Sequence, residues 1–215
     1  MKLHLGCGQK YLDGYVNIDF PLSSHSVQKK SIADLHSDIL DLRYERASVE
    51  EIRLHHVFEH FPRPVACGLL AAWFTWLKPN GRIHIEVPDF LRTACYILNP
   101  IAPFKNKAVA ERHLFGSHEA SWAVHCEGYT PDMLKKMLTL FGFDVSTIKN
   151  NTWRDTHNFE LFATRKAKSL VKAEFIIRAD KYLRNFLLDE SEVELRLLAT
   201  WMGYFSVQLE KGWAQ

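Results

Sequence analysis

Several features that would classify a chain quickly are missing here. There are four cysteines, Cys7, Cys67, Cys95 and Cys126, set far apart and without a C-x-x-C pair. That argues against zinc and against a disulfide framework, and it fits a reducing cytoplasm. No apolar run is long enough to span a bilayer. The first residues pass at once into a strand-like segment, so no signal peptide is expected. Neither sign of charge dominates: 27 Lys+Arg against 25 Asp+Glu leave a net charge of +2, too small to call for nucleic acid or an anionic membrane. Internal repeats and low-complexity segments are absent. One missing glycine is informative. After Gly6-Cys7-Gly8, the place where a dinucleotide fingerprint G-x-G-x-x-G carries its third glycine is Tyr11.

What is present reads as one globular domain plus an appendage. The chain has 215 residues, 47% hydrophobic and 24% charged, enough to bury a sizeable core. Residues 2–5 are short and apolar enough for a buried strand, and residues 15–20 read as a second strand ending in Asp19. Between them the Gly-x-Gly turn lets a ligand approach the backbone. A strand, such a turn and an acid at the end of the next strand make a nucleotide cradle, with the carboxylate accepting from two ribose hydroxyls. Only residues 9–13 separate the turn from the second strand region, so a pyrophosphate would lose most of its helix N-terminus. S-adenosylmethionine, with an amino-acid tail in place of phosphate, needs that helix less.

Further along, residues 22–30 are polar, 31–35 form a candidate third strand, and 52–57 (IRLHHV) a fourth that ends in FEHF. Pro62 and Pro64 then open a helix. Its apolar stripe, Val65, Leu69, Leu70, Trp73, Phe74 and Leu77, has helical spacing. Lys78-Pro79-Asn80-Gly81 stops it, and 82–87 (RIHIEV) alternates as a fifth strand. Residues 91–123 are irregular and rich in His, Tyr, Trp and Phe. Thr130-Pro131 starts a helix that Gly142 ends, and 143–148 and 158–164 read as two closing strands. From 166 the composition shifts to two helices, one over 167–188 and one led by a Ser191–Glu194 capping box.

The LGCG turn, the short crossover and NIDF, followed by EEIRLHHVFEHF, a helix and LKPNGRIHIEVPDF, resemble the class I S-adenosylmethionine-dependent methyltransferases of the small-molecule kind. Phe58 and Asn80 stand where that pattern usually has Leu and Gly. The resemblance implies an α/β, Rossmann-like, mostly parallel sheet of seven strands with helices on both faces, and a methyltransferase domain over 1–166 followed by a helical extension over 167–215. It implies S-adenosylmethionine as cofactor, held by Leu5, Gly6, Cys7, Gly8, Asp19 and Phe20, by the adenine-side pair Asp38 and Ile39, and by His55 and His56 over the methionine portion. The acceptor is expected to be a small molecule or glycan precursor with an oxygen or nitrogen nucleophile.

His125, His56 and Asp89, in that order, are the candidate catalytic residues. His60 and Glu59 also match the pattern, with a structural reading beside the functional one: a ring N–H bonded to a carbonyl, and a helix-start carboxylate. His113, His118 and His125 are imaginable as metal ligands by composition, but nothing in their spacing fixes a geometry, and no metal is expected. Two rival readings remain: a nucleic-acid methyltransferase, against which stand the charge and the lack of an Asn-Pro-Pro-Tyr-type motif, and a non-catalytic cofactor-binding scaffold. The final helix is apolar on two faces, Leu195, Leu198, Met202, Phe205 and Leu209 on one and Leu197, Trp201 and Tyr204 on the other. A homodimer through the tail is therefore expected.

Overall fold

A computed structural model describes residues 1–25, 27–153 and 156–213; the last two positions of the expected extension, 214–215, lie outside the described residues. Seven strands, β1 (Lys2–Leu5), β2 (Val16–Asp19), β3 (Leu35–His36), β4 (Val49–His55), β5 (Leu77–Pro88), β6 (Phe143–Trp153) and β7 (Thr156–Arg165), form one sheet in the order β3-β2-β1-β4-β5-β7-β6. Strands β1 to β5 are parallel, and β7 lies antiparallel between β5 and β6. The strand order reverses between β1 and β4, which opens a crevice at their carboxyl ends. The register Leu5↔Ile18, Leu5↔Leu54 and His55↔Glu86 brings those ends level.

Alternation along the strands sorts the side chains into two unlike faces. Leu3, Leu5, Ile18, Ile52, Leu54 and Ile85 are fully buried on one. On the other, polar residues pair across strands: His4 Nδ1 with Asn17 Oδ1 at 3.0 Å, His55 Nδ1 with Glu86 at 2.7 Å, and His84 Nε2 with Glu160 at 2.8 Å.

Among the described residues the α-helices are α1 (Arg63–Trp76), α2 (Phe90–Leu98), α3 (Phe104–Phe115), α4 (Pro131–Leu140), α5 (Lys172–Leu183) and α6 (Glu192–Trp213). Helices α1, α4, α5 and α6 pack together on the apolar side. The α2–α3 pair meets the β7 end of the polar side, where His113 Nε2 lies 2.5 Å from Asn158 Oδ1. Helices therefore lie on both faces, as expected, but unevenly, with four on the apolar side and the α2–α3 pair at one end of the other. The first crossover has turns and no helix, and among the described residues the next two hold only 3-10 turns, Leu22–Ser24 and Ile39–Asp41. The polar side chains on the β1–β4 part of that face do not require a covering helix.

Boundaries differ for local reasons. The third strand starts at Leu35, because Asp34 closes on Asn17 first: its carboxylate accepts from the Asn17 backbone N–H at 2.8 Å and from Nδ2 at 3.0 Å. The irregular stretch 91–123 contains most of α2 and all of α3. The first tail helix is shorter than 167–188.

Helix α1 is buried nearly all round, with the sheet on one side and α6 on the other. Small residues permit the close approach. A Cβ on Gly68 would stand 2.8 Å from the Phe205 carbonyl oxygen, and one on Gly212 would overlap Ala72. Leu170, Phe175, Leu183, Leu198, Phe205 and Leu209 of the extension join the same hydrophobic core as the sheet. Leu197 and Tyr204 of α6 stay 39% and 55% exposed. Among the described residues no helix is long and apolar enough to cross a membrane.

Candidate functional site

The cradle begins where β1 ends. Gly6 and Gly8 both take left-handed backbone, φ 66° and 54°, and the Cys7 N–H between them donates to the Ile18 carbonyl at 3.0 Å. Asp19, at the end of β2, is buried. Its Oδ2 accepts from the Gly8 N–H at 2.7 Å and its Oδ1 from the Phe20 N–H at 2.8 Å. The turn thus fixes the carboxylate while each oxygen keeps accepting capacity. Burial and the charge of Asp19 push the Cys7 thiol up to about 11. Leu5 lies beneath as core.

A cavity of about 750 Å³ opens over this turn, with Gly6, Gly8, Asp19, Phe20, Asp38 and Ile39 in its wall. His55 and His56 close its other side. Asp38 also caps the 3-10 turn, its Oδ1 accepting from the Leu40 N–H at 2.8 Å. Trp122, from the segment after α3, roofs the cavity: its Nε1–H donates to the Ser24 carbonyl at 2.8 Å, and its ring lies 5.8 Å from Phe20 and 5.2 Å from His25.

A second cavity of about 1190 Å³ lies beside the first and shares Val27, His56 and Glu119 with it. Glu86, Arg112, His113, His125, Asn151 and Asn158 belong to its wall. His56 stands at the seam in left-handed backbone, φ 54°, its N–H donating to the Glu86 carbonyl at 2.9 Å. Its Nδ1 is 3.5 Å from Glu59 Oε1 and its Nε2 3.5 Å from Glu86 Oε1. Burial lowers this imidazole, but the bonds and charges of Glu59 and Glu86 outweigh that and hold it at about 10. Burial raises Glu86 in turn, yet the bonds from His55, His56 and Asn151 carry it well below the usual carboxylate range. His125 is lowered by burial against the opposing charge of Glu59.

Of the predicted residues, the structure brings Gly6, Gly8, Asp19, Phe20, Asp38, Ile39, His55 and His56 to one cavity, and His56 and His125 to the other. Asp89 is in neither wall. It is buried and caps α2, its Oδ1 accepting from the Arg92 N–H at 3.1 Å. His118 Nε2 is 3.0 Å from the Phe115 carbonyl, outside both walls. Trp122 and Glu86 were missed as site residues. Glu86 had a signal, since it alternates in RIHIEV on the same face as His84. Trp122 had none, because its place depends on the fold-back of residues 116–125.

No family model matches the chain, and no curated protein matches it in sequence. Solved structures match it in shape. A SAM-dependent methyltransferase from Methanosarcina mazei has a TM-score of 0.50 at 14% identity, over 78% of this chain and 92% of that one. The chain described as a methyltransferase in the complex with the Haloferax volcanii Trm112 methyltransferase activator has a TM-score of 0.53 at 12% identity, over 79% and 83%. The Burkholderia thailandensis 1,6-didemethyltoxoflavin-N1-methyltransferase, with bound 1,6-didemethyltoxoflavin and S-adenosylhomocysteine, has a TM-score of 0.51 at 14% identity, over 77% and 70%. With the strand order, these likenesses show that the chain has the fold of the class I S-adenosylmethionine-dependent methyltransferases.

Proposed function

We propose that this chain binds S-adenosylmethionine in the first cavity and passes its methyl group, at the His56 seam, to an oxygen or nitrogen of a small molecule or glycan precursor in the second. The observation that carries this reading is the pair of cavities meeting at Val27, His56 and Glu119, with a Gly-x-Gly turn and a fixed carboxylate in the first wall. The residues fit the cofactor on their own terms. A Cβ on Gly8 would meet none of the described residues within 4 Å, so the turn leaves room for a ligand. Asp19 has lone pairs left for ribose hydroxyls, and the volume suits a nucleoside with an amino-acid tail.

S-adenosylmethionine supplies a methyl on an activated sulfonium, so the chain's own work is alignment and exclusion of water. Trp122 and Phe20 roof the first cavity, and Asn151, Asn158 and His113 offer the second a polar wall suited to a hydroxyl-bearing acceptor. A general base is required only for an acceptor protonated at working pH. In this reading residues 1–166 carry both cavities, and the described part of the extension, 167–213, supports them from behind α1.

Calorimetry with S-adenosylhomocysteine tests it. The wild-type chain is expected to bind, and Asp19→Ala to weaken binding by about 1–3 kcal/mol, the scale for losing charged hydrogen bonds. Tight NAD binding with no binding of S-adenosylhomocysteine would overturn the reading. His125→Ala and His56→Ala are expected to lower turnover more than cofactor affinity.

A further inference from the structure

At the seam the fold brings together three residues that the methyl-transfer reading does not use as a set. Glu59 sits in the 3-10 turn Phe58–His60 that follows β4. The chain returns past it after α3, where the Cys126 and Glu127 N–H groups both donate to the Glu59 carbonyl, at 2.8 and 3.1 Å. That return sets the His125 ring against His60, with centroids 4.6 Å apart. One donor atom from each of Glu59, His60 and His125 lies within 4.8 Å of the other two.

The protons are arranged for a cation. His60 Nδ1 is 3.1 Å from the Val124 carbonyl and His125 Nδ1 is 3.2 Å from the Leu114 carbonyl. A carbonyl accepts, so each neutral ring carries its proton on Nδ1 and keeps a lone pair on Nε2. That is the tautomer of a metal-bound imidazole whose other nitrogen is held by the backbone. His125 Nε2 is 3.8 Å from Glu59 Oε1, so a lone pair faces a carboxylate. Glu59 is 1% exposed, and among the described residues neither of its oxygens has a hydrogen bond of ordinary length and geometry. Its nearer ionic neighbour, His56 Nδ1, stays 3.5 Å away. His56 meets this carboxylate from one side only, and among the described residues no cation lies between its oxygens and the two imidazole lone pairs of His60 and His125.

We propose that Glu59, His60 and His125 form a binding site for one divalent first-row transition ion, with zinc as its type member. Two imidazole nitrogens and a carboxylate oxygen are the donor set of three-ligand zinc sites that keep a fourth position open. Bonds of 2.0–2.1 Å bring donors to about 3.3 Å from each other, so closing on the ion takes shifts of about 1 Å. His60 belongs to the wall of the first cavity and His125 to that of the second. The open position therefore borders the seam, where the ion can hold an oxygen or nitrogen of the acceptor. That last role rests on the methyltransferase reading; the binding of the ion does not. The set differs from His113, His118 and His125, since His118 Nε2 and His113 Nε2 are turned to Phe115 and Asn158.

The test uses tag-free protein stripped with chelator, without S-adenosylmethionine or its product. Zinc calorimetry and cobalt(II) absorption are expected to show one ion per chain, with the strong visible bands of a low-coordinate site. Glu59→Gln, His60→Ala and His125→Ala are each expected to weaken zinc by about tenfold or more, while His118→Ala leaves it unchanged. Thermal melts select the variants that fold. A wild-type chain that takes up neither ion, or one whose affinity is the same in every folded variant of the three, would overturn the proposal. Zinc uptake without S-adenosylhomocysteine binding would sink the cofactor reading alone.

Discussion

Gly6 and Gly8 share a left-handed backbone and differ in what a side chain would meet. A Cβ on Gly6 overlaps Val57, whereas one on Gly8 points into open space. Gly6→Ala is therefore expected to lower the melting temperature. Gly8→Val should abolish S-adenosylhomocysteine binding by filling the cradle, with backbone strain its main structural cost. Equal affinity in Gly8→Val and wild type, read by calorimetry, would refute the cradle assignment. The thiols divide in a similar way. Burial pushes Cys7 up to about 11 and Cys67 higher still, while Cys95 and Cys126 are exposed. Only thiolates alkylate quickly. Iodoacetamide at pH 8 should modify Cys95 first, Cys126 more slowly because partial burial and Glu127 raise its thiol too, and spare the other two, as peptide mass mapping would show; rapid labelling of Cys7 would mean that the turn opens. This cradle was legible because glycine and an acid at that spacing carry the chemistry themselves. The Glu59–His125 approach was not, since it depends on two backbone bonds between segments more than sixty positions apart.

Among the elements, Asp89 belongs to α2 rather than to a cavity. Asp89→Ala should lower stability by about 1 kcal/mol, the usual loss for a cap, with cofactor affinity unchanged; denaturant titration beside calorimetry would separate this from a role in turnover. The polar sheet face gives a pH dependence. Burial, with the charges of Arg53 and His55, lowers His84 from 6.5 to about 4, against the opposing pull of Glu160. An imidazole with a lowered folded value favours the unfolded chain once protons compete. The His84 contribution is complete above pH 6.5 and falls away between 6.5 and about 4. Melting temperature should drop across that window, and less steeply in His84→Gln. The thin helical cover of the polar face was itself legible. Parallel strands covered on both faces read as continuous apolar runs, whereas KLHL, IRLH and RIHIE alternate. The family resemblance supplied helices on both faces, and the alternation added that one face is covered less than the other. The two-residue β3 was not legible, because the Asp34–Asn17 bonds that delay it carry no pattern.

For the molecule as a whole, α6 is part of the core. It lies on α1 through Gly68 and Gly212 and sends Lys211 to the cradle's underside, where Nζ donates to the Leu40 carbonyl at 3.0 Å and to Asp41 at 2.9 Å. Asp41 is held below its ordinary value by that ammonium. A chain cut after 188 should lose cooperative unfolding, since one face of α1 would be bare. A cut chain that melts sharply and binds S-adenosylhomocysteine like wild type would show that the tail is dispensable. The Lys211–Asp41 link joins positions 170 apart. On the ribosome, Asp41 emerges long before Lys211 has been added, so the nascent chain carries an unlatched Ile39–Asp41 turn and an uncovered α1 until α6 follows. A chain with that face bare exposes apolar surface to misassembly until α6 appears, so a fragment stalled short of α6 is expected to be degraded rather than to work as a smaller protein.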